Sequence, residues 1–206
     1  MGLLYITRHG ETELNILDKM QGSIDSPLTK RGIRQAEALG KRLEDVKIDR
    51  IYVSHLPRAI TTAKIIKGER DIDIIIDKGL AERDFGEWEG RVAEEIFKEL
   101  GTTKQYAYTH PLEIEPVKGE KHLAYTKRVY DCFVHIAKEN IDKDILIVTH
   151  GVTIKVIAKI LANKTITDPD DLLDQIPQAS ITLGKYDDEG FGLLYRNDIK
   201  HLEGIE

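Results

Sequence analysis

Leu3-Leu4-Tyr5-Ile6-Thr7 runs without a break into Arg8-His9-Gly10. A short apolar run of strand-forming residues, closed by polar residues and a glycine, reads as a buried strand leaving into a loop. The same phrase returns twice. Arg50-Ile51-Tyr52-Val53 leads into Ser54-His55, and Ile145-Leu146-Ile147-Val148 leads into Thr149-His150-Gly151. Between these strands the period changes to that of a helix. Thr29 is placed to cap one helix, with Ile33, Ala36, Leu39, Leu43 and Val46 on its apolar face, and Pro57 opens another that carries Ile60, Ala63 and Ile66. Ile72 to Ile76 predicts a third strand, and Val92 to Leu100 a short helix stopped by Gly101. Val129, Cys132, Phe133, Ile136 and Ala137 share one face of a long helix, and a last helix runs from about Val152 to Leu161. Ile181-Thr182-Leu183 and Gly192-Leu193-Leu194-Tyr195, joined across Asp187-Asp188-Glu189-Gly190, predict an edge β-hairpin. Strands alternating with helices imply an α/β three-layer sandwich, its mostly parallel central sheet flanked by helices.

Composition narrows the class further. The 206 residues suit a single domain over 1–206, and 41% hydrophobic with 32% charged residues is an ordinary globular balance that excludes a disordered or collagen-like chain. One Cys can form neither an internal disulfide nor a Cys-based zinc cage, which favours a cytoplasmic protein. No apolar run approaches the roughly 20 residues of a membrane span, and no signal pattern opens the chain, so no membrane association is expected. A net charge of -6 argues against general nucleic-acid binding. Residues 101–119 lack periodicity and contain Pro111 and Pro116, predicting a surface excursion. The proposed hairpin edge leaves room for a homodimer.

In an open α/β sheet, ligands bind beyond the carboxyl ends of the strands. There the sequence gathers Arg8 and His9 from one exit, Ser54, His55 and Arg58 from a second, and His150 and Gly151 from a third. A lone His after a strand is usually a satisfied polar residue, and a lone Arg a surface ion pair. Two Arg and two or three His at one sheet edge instead predict a positive pocket inside an acidic protein, suited to phosphate oxygens. The acidic groups Asp168-x-Asp170-Asp171 and Asp187-Asp188-Glu189 lack the pattern of a metal site and read as solvated turns, so no catalytic metal is expected.

These residues also resemble the histidine phosphatase superfamily, the phosphoglycerate-mutase-like proteins. The likeness is carried by Arg8-His9-Gly10-Glu11-Thr12, Asn15, Gln21-Gly22, Asp25-Ser26-Pro27-Leu28-Thr29, Gly32-x-x-Gln35-Ala36, Ser54-x-x-x-Arg58-Ala59, Glu82-x-x-Phe85-Gly86-x-Trp88-Glu89-Gly90, Gly119-Glu120, Arg128-Val129, Thr149-His150-Gly151 and Ala179-Ser180-Ile181. The resemblance implies that His9 is the nucleophile and Glu82 the proton donor, with Arg8, Asn15, Gln21, Gly22, Arg58, His150 and Gly151 around the phosphoryl group. It implies no cofactor, and a small phosphorylated substrate hydrolysed through a phosphohistidine without metal. Asp84-Phe85 and the absence of an Arg-Arg pair after Gly101 resemble the broad-specificity and α-ribazole phosphatase branch more than the mutases. A cofactor-dependent phosphoglycerate mutase is the alternative, and a non-catalytic phospholigand-binding protein a further one. Tyr106, Tyr108, His110, Lys118 and Lys121 are expected near the substrate, with pinning of the loop the favoured role for the aromatic residues.

Overall fold

The structure, a computed structural model, describes residues 2–166 and 175–205. Its centre is a six-stranded sheet in the order β3-β2-β4-β1-β5-β6, built from β1 (Gly2–Arg8), β2 (Arg50–Ser54), β3 (Asp73–Asp77), β4 (Ile145–Thr149), β5 (Ile181–Asp187) and β6 (Gly190–Asp198). β1, β4, β2 and β3 pair in parallel, and β5 and β6 add the antiparallel hairpin at one edge. This is the mixed α/β sandwich that the alternation of periods predicts.

Side chains alternate across the pleat, so each strand feeds two cores. Leu4, Ile6, Ile145 and Ile147 join Tyr125, Val129, Phe133, Ile136, Ile157 and Leu161 on one face. Leu146, Val148, Ile51 and Val53 join Leu39, Leu43, Ala59, Ala63 and Ile66 on the other. The first face is covered by α6 (His122–Glu139) and α7 (Gly151–Leu161), the second by α2 (Lys30–Arg42) and α3 (Pro57–Lys67). Thr29 caps α2 through the Gly32 amide, and Pro57 opens α3 where its missing N–H costs nothing.

Three expectations need correction. Ile33 is exposed, because the inward stripe of α2 runs through Gly32, Gln35, Ala36 and Leu39 and leaves Ile33 on its flank. Gln35 is buried instead, where its Oε1 accepts the Glu11 amide at 2.9 Å. The third strand is shifted one residue, to Asp73–Asp77. The excursion is partly helical. After α4 (Ala93–Glu99), Thr103 caps a short α5 (Lys104–Thr109), and Ala107 and Ile114 fold inward onto Met20, Phe85, Trp88 and Phe97. The chain closes here over a third apolar cluster and does not merely cross the surface. Among the described residues, no helix is long and apolar enough to cross a membrane.

Candidate functional site

Register brings the two histidines together. Arg8 stands opposite Thr149 in the parallel β1/β4 pair, and the His9 amide continues the ladder by donating to the Thr149 carbonyl at 2.9 Å. The next residues of each strand, His9 and His150, therefore emerge side by side, with ring centroids 5.2 Å apart. Gly10 and Gly32 make the turn possible, since a Cβ on either would strike the other loop's backbone where the β1 exit rests on α2. The Gly10 amide also donates to Thr62 Oγ1 at 3.0 Å, which ties the exit to α3.

The His9 ring is held in one orientation and one tautomer. Nδ1 lies 2.7 Å from the Gly10 carbonyl, an acceptor only, so Nδ1 carries the proton and Nε2 keeps its lone pair. Burial, with the Arg8 and Arg58 charges, holds this imidazole well below its ordinary pKa, so it is neutral at physiological pH. Burial and the same cluster, Arg58 first, hold His150 low as well. His150 Nε2 meets Ser54 Oγ at 2.8 Å, and its buried Nδ1 has no hydrogen-bond partner.

Arg58, fully buried at the first turn of α3, donates to the Gly22 carbonyl at 2.6 Å and the Ile24 carbonyl at 3.0 Å. Burial lowers its pKa to about 10, opposed by the Glu82 charge, so the guanidinium stays protonated. Its Nε is buried without a partner, as is Gln21 Oε1. Gly22 sits at φ +53°, and a Cβ there would overlap the Glu89 carboxylate, which itself accepts the Ser23 and Phe85 amides at 2.7 and 3.0 Å. Asn15 closes a capping box with Thr12 on α1 (Glu13–Ile16). Arg8 reaches across to the Ile176 carbonyl at 2.7 Å.

Glu82 lies in the segment between β3 and α4, where three elements hold it. Thr149 Oγ1 donates to the Leu80 carbonyl at 2.6 Å, and Thr153 Oγ1 to the Ala81 carbonyl at 3.0 Å. Arg128 Nη1 donates to the carbonyls of Gly79 and Ala81 at 2.9 and 3.2 Å, while Nε and Nη2 bind the Glu120 carboxylate. One oxygen of the Glu82 carboxylate accepts the Arg83 amide at 3.1 Å and lies 3.3 Å from both the Tyr125 and Thr153 hydroxyls. Its other oxygen accepts the Val152 amide at the start of α7, at 3.1 Å. Burial keeps the Tyr125 phenol protonated, its pKa well above the ordinary value.

Arg8, His9, Asn15, Gln21, Gly22, Arg58, Glu82 and Gly151 line one cleft of about 620 Å³, and His150 is buried against the His9 ring. Nine expected residues thus meet at one place. His55 does not, being exposed and outside the cleft lining. Nor do Tyr106, His110, Lys118 and Lys121 line it. Tyr106 stacks on His110 at 4.0 Å and donates to Glu113, which pins the loop, while Lys118 pairs with Glu87 and Lys121 with Glu115. The side chain of Tyr108 lies outside the described residues. Lys104, Gln105 and Lys155 line the cleft instead, together with Met20, Phe85 and Val152. Lys155 was legible in principle, because it stands four residues after Gly151 on the same face of α7; nothing in the sequence marks Lys104.

Asp187 accepts from Lys185 and from the Glu189 amide, as in an ordinary turn. Asp168, Asp170 and Asp171 lie outside the described residues. No three His, Cys, Asp or Glu side chains among the described residues cluster so as to hold a metal.

Residues 4–199 match the histidine phosphatase superfamily (branch 1), and the chain belongs to that family. Within it, the chain is 34% identical over 159 residues to an adenosylcobalamin/α-ribazole phosphatase of Salmonella typhimurium, covering 77% of this chain and 79% of that one. Among solved structures, Bacillus stearothermophilus YhfR superimposes with a TM-score of 0.88 at 34% identity, covering 98% of this chain and all of that one. Phosphoserine phosphatase from Entamoeba histolytica, in complex with 3-phosphoglyceric acid, gives a TM-score of 0.81 at 31% identity, over 98% of this chain and all of that one. Relatives named as 2,3-bisphosphoglycerate-dependent phosphoglycerate mutases also align.

Proposed function

We propose that the protein is a phosphomonoesterase that hydrolyses small phosphorylated metabolites in the cytoplasm through a phosphohistidine on His9. The observation that carries this reading is the His9 tautomer: a neutral ring with Nδ1–H bound to Gly10, leaving the Nε2 lone pair for attack beside two arginines. The names of the phosphatase relatives support the substrate class.

The Nε2 lone pair attacks phosphorus, the bond from phosphorus to the ester oxygen breaks, and that oxygen takes a proton from the Glu82 carboxyl. Water then attacks phosphorus and gives its proton to the Glu82 carboxylate. The P–N bond breaks, its electron pair returns to Nε2, and inorganic phosphate leaves. Arg8, Arg58 and His150 hold the non-bridging oxygens, with Asn15, Gln21 and the backbone at Gly22 and Gly151 completing the pocket. In this scheme the unsatisfied Arg58 Nε and His150 Nδ1 are donors whose acceptor arrives with the substrate. No step uses a metal or a cofactor.

Hydrolysis of p-nitrophenyl phosphate is expected to fall by at least about 10³-fold in His9→Ala. Rapid acid-free quenching of the wild type with a labelled ester should trap a phosphoenzyme, and EDTA should leave turnover unchanged. Full activity in His9→Ala, or loss of activity in EDTA, overturns the mechanism. Isomerisation of 3-phosphoglycerate outpacing its hydrolysis would assign the mutase reaction, and phosphate binding without turnover of any ester a binding role.

A further inference from the structure

Arg8 is gripped at both ends by one short segment. Its side chain donates from Nη1 to the Ile176 carbonyl at 2.7 Å, and its own carbonyl accepts the Ala179 amide at 3.1 Å. Gln175, Ile176 and Gln178 of the same segment line the cleft. The grip depends on the shape of residues 176–179, and that shape contains a joint that an L-residue rarely adopts. Ala179 stands at φ +54°, fully buried and without the freedom of a glycine. A left-handed alanine persists only where its surroundings over-determine it.

Those surroundings come from the turn that follows β6. In the short 3₁₀ turn Lys200–Leu202, His201 Nε2 lies 2.9 Å from the Ala179 carbonyl. A carbonyl only accepts, so Nε2 carries the proton and donates. Burial, opposed by this hydrogen bond, holds the ring's pKa below the ordinary histidine value, and its Nδ1 is buried with no hydrogen-bond partner among the described residues. The neutral ring therefore directs its one N–H at Ala179. Leu202, the next residue of the turn, packs with Ala179, Ile181, Leu39 and Leu43 in the core beneath α2 and α3. Both sides of the left-handed joint are thus fixed, the amide by Arg8 and the carbonyl by His201.

We propose that His201 is a positioning residue for Arg8: it locks Ala179 in the left-handed conformation, and the locked segment aims the Arg8 guanidinium into the phosphate cleft. The proposal rests on the phosphomonoesterase reading, in which Arg8 holds the phosphoryl oxygens. Pairing of β1 with β4 already fixes the Arg8 backbone, so what the lock controls is the Ile176 carbonyl and, through it, the guanidinium. His201 is not among the residues that line the cleft, so its effect passes through the backbone and not through contact with substrate. Because Arg8 meets the non-bridging oxygens both before and during transfer, a loosened segment weakens phosphate binding more than it slows the bound complex.

Calorimetric titration of the intact protein with inorganic phosphate, beside steady-state hydrolysis of p-nitrophenyl phosphate, tests this. In His201→Ala, phosphate affinity is expected to fall about tenfold and KM to rise to a similar extent, while kcat changes less than about threefold. Two restorations separate the lock from a general loosening of the fold. His201→Gln, whose side-chain amide can donate in place of Nε2, should bind phosphate within about threefold of the wild type. Ala179→Gly added to His201→Ala should recover most of the lost affinity, because glycine takes φ +54° without the steric penalty that the lock opposes. His201→Leu, which keeps the bulk but has no donor, decides the matter if His201→Ala does not fold. Unchanged phosphate affinity once the donor is gone, a loss confined to kcat, or a loss that neither His201→Gln nor the added glycine repairs overturns the role of His201. A wild type that neither binds phosphate nor hydrolyses the ester overturns the phosphomonoesterase reading as well.

Discussion

The proposed attack of His9 on phosphorus requires a neutral ring, and burial beside Arg8 and Arg58 favours that form. That arrangement carries a cost that can be measured. A histidine whose pKa is held below 6.5 in the fold takes up protons more readily when unfolded, so its contribution to stability is present above pH 6.5 and is lost as pH falls below it. His9 and His150 act in the same direction, each adding up to about 1.4 kcal/mol per pH unit to the slope. Denaturant unfolding between pH 8 and pH 5 should therefore show stability declining below about 6.5, less steeply in His9→Asn, while NMR titration shows both wild-type rings titrating below the ordinary histidine value. A flat profile would mean that both rings charge inside the fold and that the neutral nucleophile is wrong.

At the scale of elements, the site depends on how strand exits are braced, and the segment carrying Glu82 is the clearest case. Arg128 on α6 collects the carbonyls of Gly79 and Ala81 and binds Glu120 with two nitrogens. Arg128→Met removes that clamp, and Arg128 is not among the residues that line the cleft. Because a misplacement of about 1 Å in a catalytic group can lower the rate by ~10²-fold, kcat is expected to fall ten- to a hundredfold, with KM changed much less. A raised KM at constant kcat would instead place the effect on phosphate binding. The same elements show what was legible in the sequence. Apolar strands ending in Arg8-His9-Gly10 and Thr149-His150-Gly151 announce the site, because a buried strand has one polar end facing the crevice. Glu82 carries no such local mark. It is positioned by Thr149, Thr153, Tyr125 and Arg128, which meet only in three dimensions, so family likeness alone picked it out. Helix α5 escaped notice because six residues hold too little periodicity, and Ile33 misled because the buried stripe of α2 accommodates Gln35 and a glycine contact.

For the whole molecule, the sheet separates two cores, and the candidate site lies on the seam between them. Arg58 comes from α3 over one face, and Gly151 from α7 over the other. The pocket is therefore complete only while both layers are docked. Phe133 is fully buried in one core and Leu39 in the other. Replacement by Ala should cost ~3–5 kcal/mol at Phe133 and ~2–5 kcal/mol at Leu39, as for other large-to-small core changes. Residues on opposite faces with no shared partner should add within ~0.5 kcal/mol, provided that the molecule unfolds in one step. Urea unfolding of both single variants and the double variant, followed in parallel by phosphatase activity and far-ultraviolet circular dichroism, tests this. Coincident transitions with additive losses are expected. Activity lost ahead of the helical signal in the Leu39→Ala variant alone would show that the α2–α3 layer detaches first, taking Arg58 and the Gly22 loop away from a histidine pair still held by the β1/β4 ladder.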